Sequence, residues 1–143
     1  MKAESNIGGL LGKASRLLSN ELNNSLSEHK LTVEQWSLLA VLWTQDGQKQ
    51  KELQQELLKD KATINSLVSY LLKDGFITKK RNEYDKRSFI ISLTQKGKEM
   101  QKHTIPLAMQ SISMSIVDID ADALQTTTKV LTQIINNLTK EKS

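Results

Sequence analysis

The sequence predicts a fold that is mainly α with a small β-wing: a winged helix-turn-helix flanked by N- and C-terminal helices. Three observations carry this expectation. Residues 61–74 have helical period, with Ile64, Leu67, Val68, Leu71 and Leu72 on one face. The period then switches, and residues 76–81 and 87–93 read as two short strands around a polar, charged tip at 82–86. A shorter helix at 50–58 precedes the first, joined to it only by Lys59-Asp60, which is helix-turn-helix spacing.

Each element has its own local reasons. Residues 5–28 form a long amphipathic pattern, with Ile7, Leu10, Leu11, Ala14, Leu17, Leu18, Leu22 and Leu26 on a broad stripe. Gly8, Gly9 and Gly12 weaken its first turns. Thr32 opens the next helix, because Thr32 and Gln35 have capping-box spacing. Val33, Trp36, Leu39, Ala40 and Trp43 form its apolar side, and Asp46-Gly47 ends it in a turn. In the short helix that follows, Leu53, Leu57 and Leu58 are expected to be buried. Asp60 suits the N-cap of the helix at 61–74, where its carboxylate can accept an unpaired backbone N–H. Gly75 suits the residue after the C-cap, which often takes the left-handed conformation.

Past the hairpin, Thr94 is expected to cap a helix through Met100, which Pro106 kinks near Thr104 unless a new helix starts there. Asp118, Asp120 and Asp122 mark another helix start, since acidic groups favour the positive end of a helix dipole. The last helix carries Leu124, Leu131, Ile134, Ile135 and Leu138, more large aliphatics than a small lobe needs. Apolar helical arms at both ends fit dimerisation helices, at residues 1–30 and 100–143. They flank a lobe at 32–98 within one domain spanning 1–143. A two-fold dimer would present two recognition helices at a fixed spacing.

Composition removes several functions. At 143 residues the chain can bury a core without covalent staples. It has no cysteine, which excludes disulfides and thiolate metal sites. The two histidines, His29 and His103, are far apart in sequence, and no metal or other cofactor is expected. No nucleophile–base pair, phosphate loop or carboxylate dyad appears, so the chain is not read as an enzyme. No apolar run approaches the roughly 20 residues that cross a bilayer, so no membrane partner is expected. Lys2 and the apolar patch at 7–11 fall short of a signal sequence, and the expected location is cytoplasmic. The net charge of +4 is concentrated in the middle. From Lys49 to Lys102 there are 13 Lys/Arg against 7 Asp/Glu, an excess of +6, while each flank is −1. That asymmetry points toward nucleic acid.

Along nearly its full length the chain resembles the MarR family of bacterial transcriptional regulators. The order of elements carries the resemblance, together with the run Asp60-Lys61-Ala62-Thr63-Ile64-Asn65 through Leu71 to Gly75. Its most specific part is Asp85-Lys86-Arg87, then Leu93-Thr94, then Gly97, similar to the family's D-x-R…L-T…G wing signature. The resemblance implies that Arg87 reaches a DNA minor groove and that Asp85 holds its guanidinium in place. Electrostatics agrees, because a guanidinium fits a narrow groove of negative potential and a carboxylate can orient it. Against the bulk of the family, the recognition helix departs: Ala62-Thr63 and Ser66 stand where Ser-Thr and an Arg are common.

A helical projection places Ala62, Ser66, Ser69 and Lys73 opposite the buried face, with Thr63, Asn65 and Tyr70 at its flanks. These seven, with Lys86 and Arg87 in the wing, are the candidate DNA contacts. Asn65 suits an adenine edge, and Thr63 or Ala62 a thymine methyl, so an A·T-leaning site is expected. The leading function is a homodimeric repressor of a pseudo-palindromic double-stranded DNA operator. The resemblance implies release by a small aromatic or anionic effector, with Arg16, Trp36, Trp43 and His103 as candidate lining groups. The alternative is a winged-helix module that binds protein without sequence-specific DNA binding, which the lightly charged helix face leaves open.

Overall fold

A computed structural model describes residues 3–140; Lys2, weighed above as part of a signal sequence, lies outside them. The described residues fall into a unit ending at Ile112 and a second beginning at Ser113. The first unit opens with α1 (Ala3–Leu26), which runs into a single 3₁₀ turn at Ser27–His29. Next come α2 (Val33–Thr44), the two-residue β1 (Gln48–Lys49), α3 (Gln50–Leu57) and α4 (Lys61–Lys73). The wing strands are β2 (Ile77–Arg81) and β3 (Phe89–Leu93), followed by α5 (Gln95–Ser115). The second unit holds α6 (Ala121–Thr139).

The expected caps form. Thr32 Oγ1 accepts from Gln35 N at 3.2 Å while Gln35 Oε1 accepts from Thr32 N at 2.9 Å, which completes the capping box of α2. Asp60 Oδ1 accepts from Thr63 N at 2.7 Å, and this backbone N–H holds the carboxyl below its ordinary range. Gly75 takes φ +81, the left-handed turn that stops α4 and sends Phe76 into the sheet. Asp120 caps α6 by accepting from Asp122 N and Ala123 N. At the start of α5, Thr94 Oγ1 accepts from Gly97 N at 3.1 Å.

The sheet is antiparallel in the order β1-β3-β2, so β3 is its central strand. The register places Lys79 opposite Ile91 and Arg81 opposite Phe89. β1 has no counterpart in the sequence reading, because two residues are too short to carry a period. Asp46 locks this corner: its Oδ1 accepts from Gly47 N and from Leu93 N, both at 2.9 Å.

The core of the first unit joins Leu26, Leu38, Leu39, Leu42, Leu53, Ile64, Leu71 and Ile91, all fully buried. Each such side chain stabilises the fold by about 1.5–3 kcal/mol relative to exposure. Three expectations about burial are corrected. In α2 the deepest side chains are Leu38, Leu39 and Leu42, while Trp36, Ala40 and Trp43 are half-buried. Residues 38–43 are apolar on every side, so period alone does not select the inner face. Leu58 is exposed because it is the left-handed C-cap of α3, at φ 54. Leu72 sits at the edge of the α4 stripe and is 38% exposed. Pro106 lies inside α5, which runs unbroken to Ser115, so no second helix starts there.

Candidate nucleic-acid interface

Two elements of the first unit present the candidate contacts. On α4, the stripe of Ile64, Leu67, Val68 and Leu71 is buried, which turns Ala62, Asn65, Ser66, Ser69 and Lys73 outward and exposed. Phe76 N donates to Leu71 O at 2.9 Å, so the strand that begins the wing is tied directly to the end of this helix. Thr63 and Tyr70 are half-buried flanks, as the projection places them. Tyr70 is committed to the protein: its hydroxyl donates to Lys30 O at 2.6 Å. Loss of solvent, and then the Asp74 carboxylate, push the phenol above its ordinary range.

Asn65 is also engaged, because Gln50 Nε2 donates to its Oδ1. Gln50 opens α3 and escaped the sequence reading, since an amide at a helix start carries no signal of its own.

The wing tip is a well-tied loop. Asn82, only 9% exposed, donates from Nδ2 to Ser88 Oγ at 3.2 Å and accepts from Tyr84 N at 3.0 Å. Ser88 N and Ser88 Oγ both donate to Asp85 O. The Arg81 guanidinium donates to Lys86 O. Asp85 plays a different part from the one expected. Its Oδ1 accepts from the backbone N of Arg87 at 3.1 Å, and among the described residues no ion pair joins it to the Arg87 guanidinium. Asp85 therefore orients Arg87 through the backbone, leaving the exposed guanidinium available.

The wing also holds more charge than its tip. Lys79, Lys80 and Arg81 are exposed along β2. Lys79 Nζ lies 4.7 Å and Arg81 Cζ 5.1 Å from the centroid of the Phe89 ring, so one aromatic ring steadies two cations. These three exposed cations are further candidate contacts that the sequence reading does not single out. The signal was present in the +6 segment, but it was read as charge balance rather than as one strand.

The four candidate effector residues do not converge. Trp36 and Trp43 meet edge to face with centroids 6.0 Å apart. Their indole N–H groups are both spent on α5: Trp36 donates to Thr104 Oγ1 at 2.8 Å and Trp43 to Gly97 O at 2.9 Å. His103 instead stacks on His29 at 5.8 Å, and Arg16 is exposed on α1. Two open depressions lie elsewhere. One runs along α5 beside Lys98, Lys102 and Pro106, and the other is bordered by Val41, Gln48 and Glu56.

Residues 22–104, more than half of the chain, match the family model described as transcriptional regulator SarA/Rot. The chain belongs to the SarA/Rot family. Its fold is the winged helix-turn-helix of MarR type that residues 60–97 imply. A MarR protein from Peptoclostridium difficile is similar at a TM-score of 0.89 and 28% identity, over 96% of this chain and 91% of that one. This SarA/Rot-family chain is also 28% identical over 115 residues to the organic hydroperoxide resistance transcriptional regulator of Bacillus subtilis (strain 168). That match covers 80% of the chain and 78% of the relative. Reduced AbfR, whose structure is bound to DNA, shares the fold at a TM-score of 0.77 and 22% identity, over 94% of this chain and 93% of that one. The family is one of transcriptional regulators rather than enzymes. Among the described residues, no helix is long and apolar enough to cross a membrane.

Proposed function

We propose that this SarA/Rot-family regulator binds double-stranded DNA as a homodimer, with α4 in the major groove and the wing at the neighbouring minor groove. The observation that carries the reading is the pairing of two different surfaces. α4 turns out a face of small groups, Ala62 with the polar Asn65, Ser66 and Ser69, that can approach base edges closely. The wing beside it exposes Lys79, Lys80, Arg81, Lys86 and Arg87 around a tied loop. That arrangement suits phosphates and a narrow groove. The dimer is supported by apolar side chains that the chain leaves uncovered. On α1, Leu10 is 55% and Leu17 69% exposed; on α6, Ile135 is 51% and Leu138 77% exposed. Two-fold symmetry then calls for a pseudo-palindromic operator.

Repression, relieved by a small aromatic or anionic effector, belongs to the same reading. What supports it is the half-buried Trp36–Trp43 pair hydrogen-bonded to α5, which could feel a ligand through that helix; Arg16 and His103 do not converge on the pair. A ligand shifts the equilibrium only through differential affinity for two conformations.

One set of titrations tests the whole reading, with operator and scrambled duplexes at several salt concentrations. Arg87→Ala should weaken binding to both duplexes and flatten the salt slope by about one unit. Asn65→Ala should keep the slope and lose about 1–3 kcal/mol of discrimination at one base pair per half-site. Repeating the wild-type titration with a panel of aromatic acids should loosen operator binding and quench the Trp fluorescence. Binding without salt dependence or sequence preference would return the chain to the protein-binding alternative, and a silent panel would remove effector control.

A further inference from the structure

The contact between Gln50 and Asn65 has a consequence for which base is read. An amide offers two N–H donors on nitrogen and two acceptor sites on oxygen. Asn65 has one acceptor site of Oδ1 taken by Gln50 Nε2, while its Nδ2 donors are unengaged among the described residues. Gln50 has one of its two Nε2 donors committed to that contact, and its Oε1 acceptor is likewise unengaged. Gln50 is half-buried at the first residue of α3, which limits the directions its side chain can take, while Asn65 is exposed on α4. The two amides therefore present one donor and one acceptor in a set order, from two different helices.

Adenine shows the complementary order in the major groove, with N7 as acceptor and the N6 amino group as donor. A lone Asn would use its own oxygen and nitrogen for that pair of bonds, but here one acceptor site of the oxygen is taken and the Gln50 amide lies beside it. We infer that Gln50 and Asn65 read adenine as one composite unit. Asn65 Nδ2 donates to N7, Gln50 Oε1 accepts from the N6 amino group, and the bond between the amides sets their orientation. Gln50 is thus a specificity-determining residue of α3. This inference rests on the proposal that α4 enters the major groove.

A purely structural link between α3 and α4 predicts something different, and two substitutions separate the cases. Gln50→Met keeps length and volume but can neither hold Asn65 nor accept from a base. Gln50→Glu can accept from Asn65 but not donate to it. The Asn65 amide must then turn, giving Nδ2 to the carboxylate and Oδ1 to the groove. The outward edge becomes acceptor only, which complements the N4 amino group of cytosine.

The experiment uses the full chain and competition titrations with operators carrying each of the four bases at the adenine position. The readout is the ratio of affinities, so the charge added by Gln50→Glu cancels. Wild type should prefer adenine by about tenfold, which corresponds to about 1.4 kcal/mol. Gln50→Met and Asn65→Ala should each remove most of that preference. The double variant should lose no more than either single, the mark of two groups acting as one. Gln50→Glu should move the preference to cytosine. Retention of the adenine preference by Gln50→Met or Gln50→Glu would overturn the inference while leaving α4 as the reading helix. Independent, multiplying losses in the double variant would overturn it in the same way. A wild type with no base preference at any position would overturn both.

Discussion

Gly97→Ala is the most demanding test of how the wing is held. A Cβ built on Gly97 falls far inside van der Waals contact with the carbonyl oxygen of Phe76, and also lies 3.1 Å from Leu93 Cδ2 and 3.2 Å from Phe76 C. The backbone cannot simply withdraw. Gly97 N donates to Thr94 Oγ1 at 3.1 Å, Gly97 O accepts from Trp43 Nε1 at 2.9 Å, and Phe76 O accepts from Thr94 N at 3.0 Å. The atom met is backbone rather than the end of a flexible side chain, so the overpacking cost belongs at the upper end, about 3 kcal/mol. Alanine regains about 1 kcal/mol of helix propensity over glycine. The net loss is therefore about 2 kcal/mol, a fall in Tm of about 4–8 °C for a chain of this size. Urea unfolding followed by Trp36 and Trp43 fluorescence, at one fixed protomer concentration, measures it. Gly9→Ala is the control, since nothing lies within 4 Å of its added Cβ, and it should be neutral or stabilising. A Gly97→Ala variant within about 0.5 kcal/mol of wild type, the range of an unremarkable surface change, would refute the close approach of α5 to Phe76.

Three further outcomes follow from the structure. Thr32→Ala breaks the capping box of α2 and should cost about 1 kcal/mol in the same unfolding assay, whereas Thr32→Ser should keep most of it. Asp60 has a lowered pKa in the fold, so its contribution is complete above its unfolded value and is lost as pH falls through the folded one. Asp60→Asn should accordingly make stability less sensitive to acid below the ordinary carboxylate range, and an unchanged acid limb in pH-dependent unfolding would exclude that role. Leu131→Glu with Leu138→Glu changes side chains of α6 that are already exposed, so the helix should persist by circular dichroism while a dimer dissociates. Sedimentation of the wild type as a clean monomer at high micromolar concentration would remove the dimer from the proposal.

Much of the fold was legible because local chemistry and global position agree. Asp60, Gly75 and Thr94 each do in the structure what their residue types do in isolation, and they bound the wing and its helix. The inner face of α2 was not legible, since a helix apolar on all sides has no period to read. Leu58 was misplaced for a related reason: hydrophobicity favours burial, but a left-handed cap directs the side chain outward. At the candidate site, residue type singles out Asn65 and Arg87 as candidates, whereas their hydrogen-bond partners come from the tertiary fold. Gln50 reaches Asn65 across the helix-turn-helix, and Asp85 turns out to grip the Arg87 backbone. Such contacts depend on where two elements meet, which a single sequence does not encode as a pattern.

That division extends to the energetics of binding. α4 exposes cations only at its ends, Lys61 and Lys73, so its middle, from Ala62 to Ser69, has no cation with which to neutralise phosphate. A helix built this way discriminates between bases but adds little affinity that depends on salt. The wing is the reverse, with five exposed cations between Lys79 and Arg87 and a loop whose polar backbone is largely spent on itself. Phe89 under Lys79 and Arg81 makes two of those cations less free to wander, which lowers the entropy lost on meeting a phosphate. In the proposed complex, affinity and selectivity thus reside on separate elements joined through Phe76. Changes on the face of α4 can alter the sequence preferred while the electrostatic grip of the wing is kept.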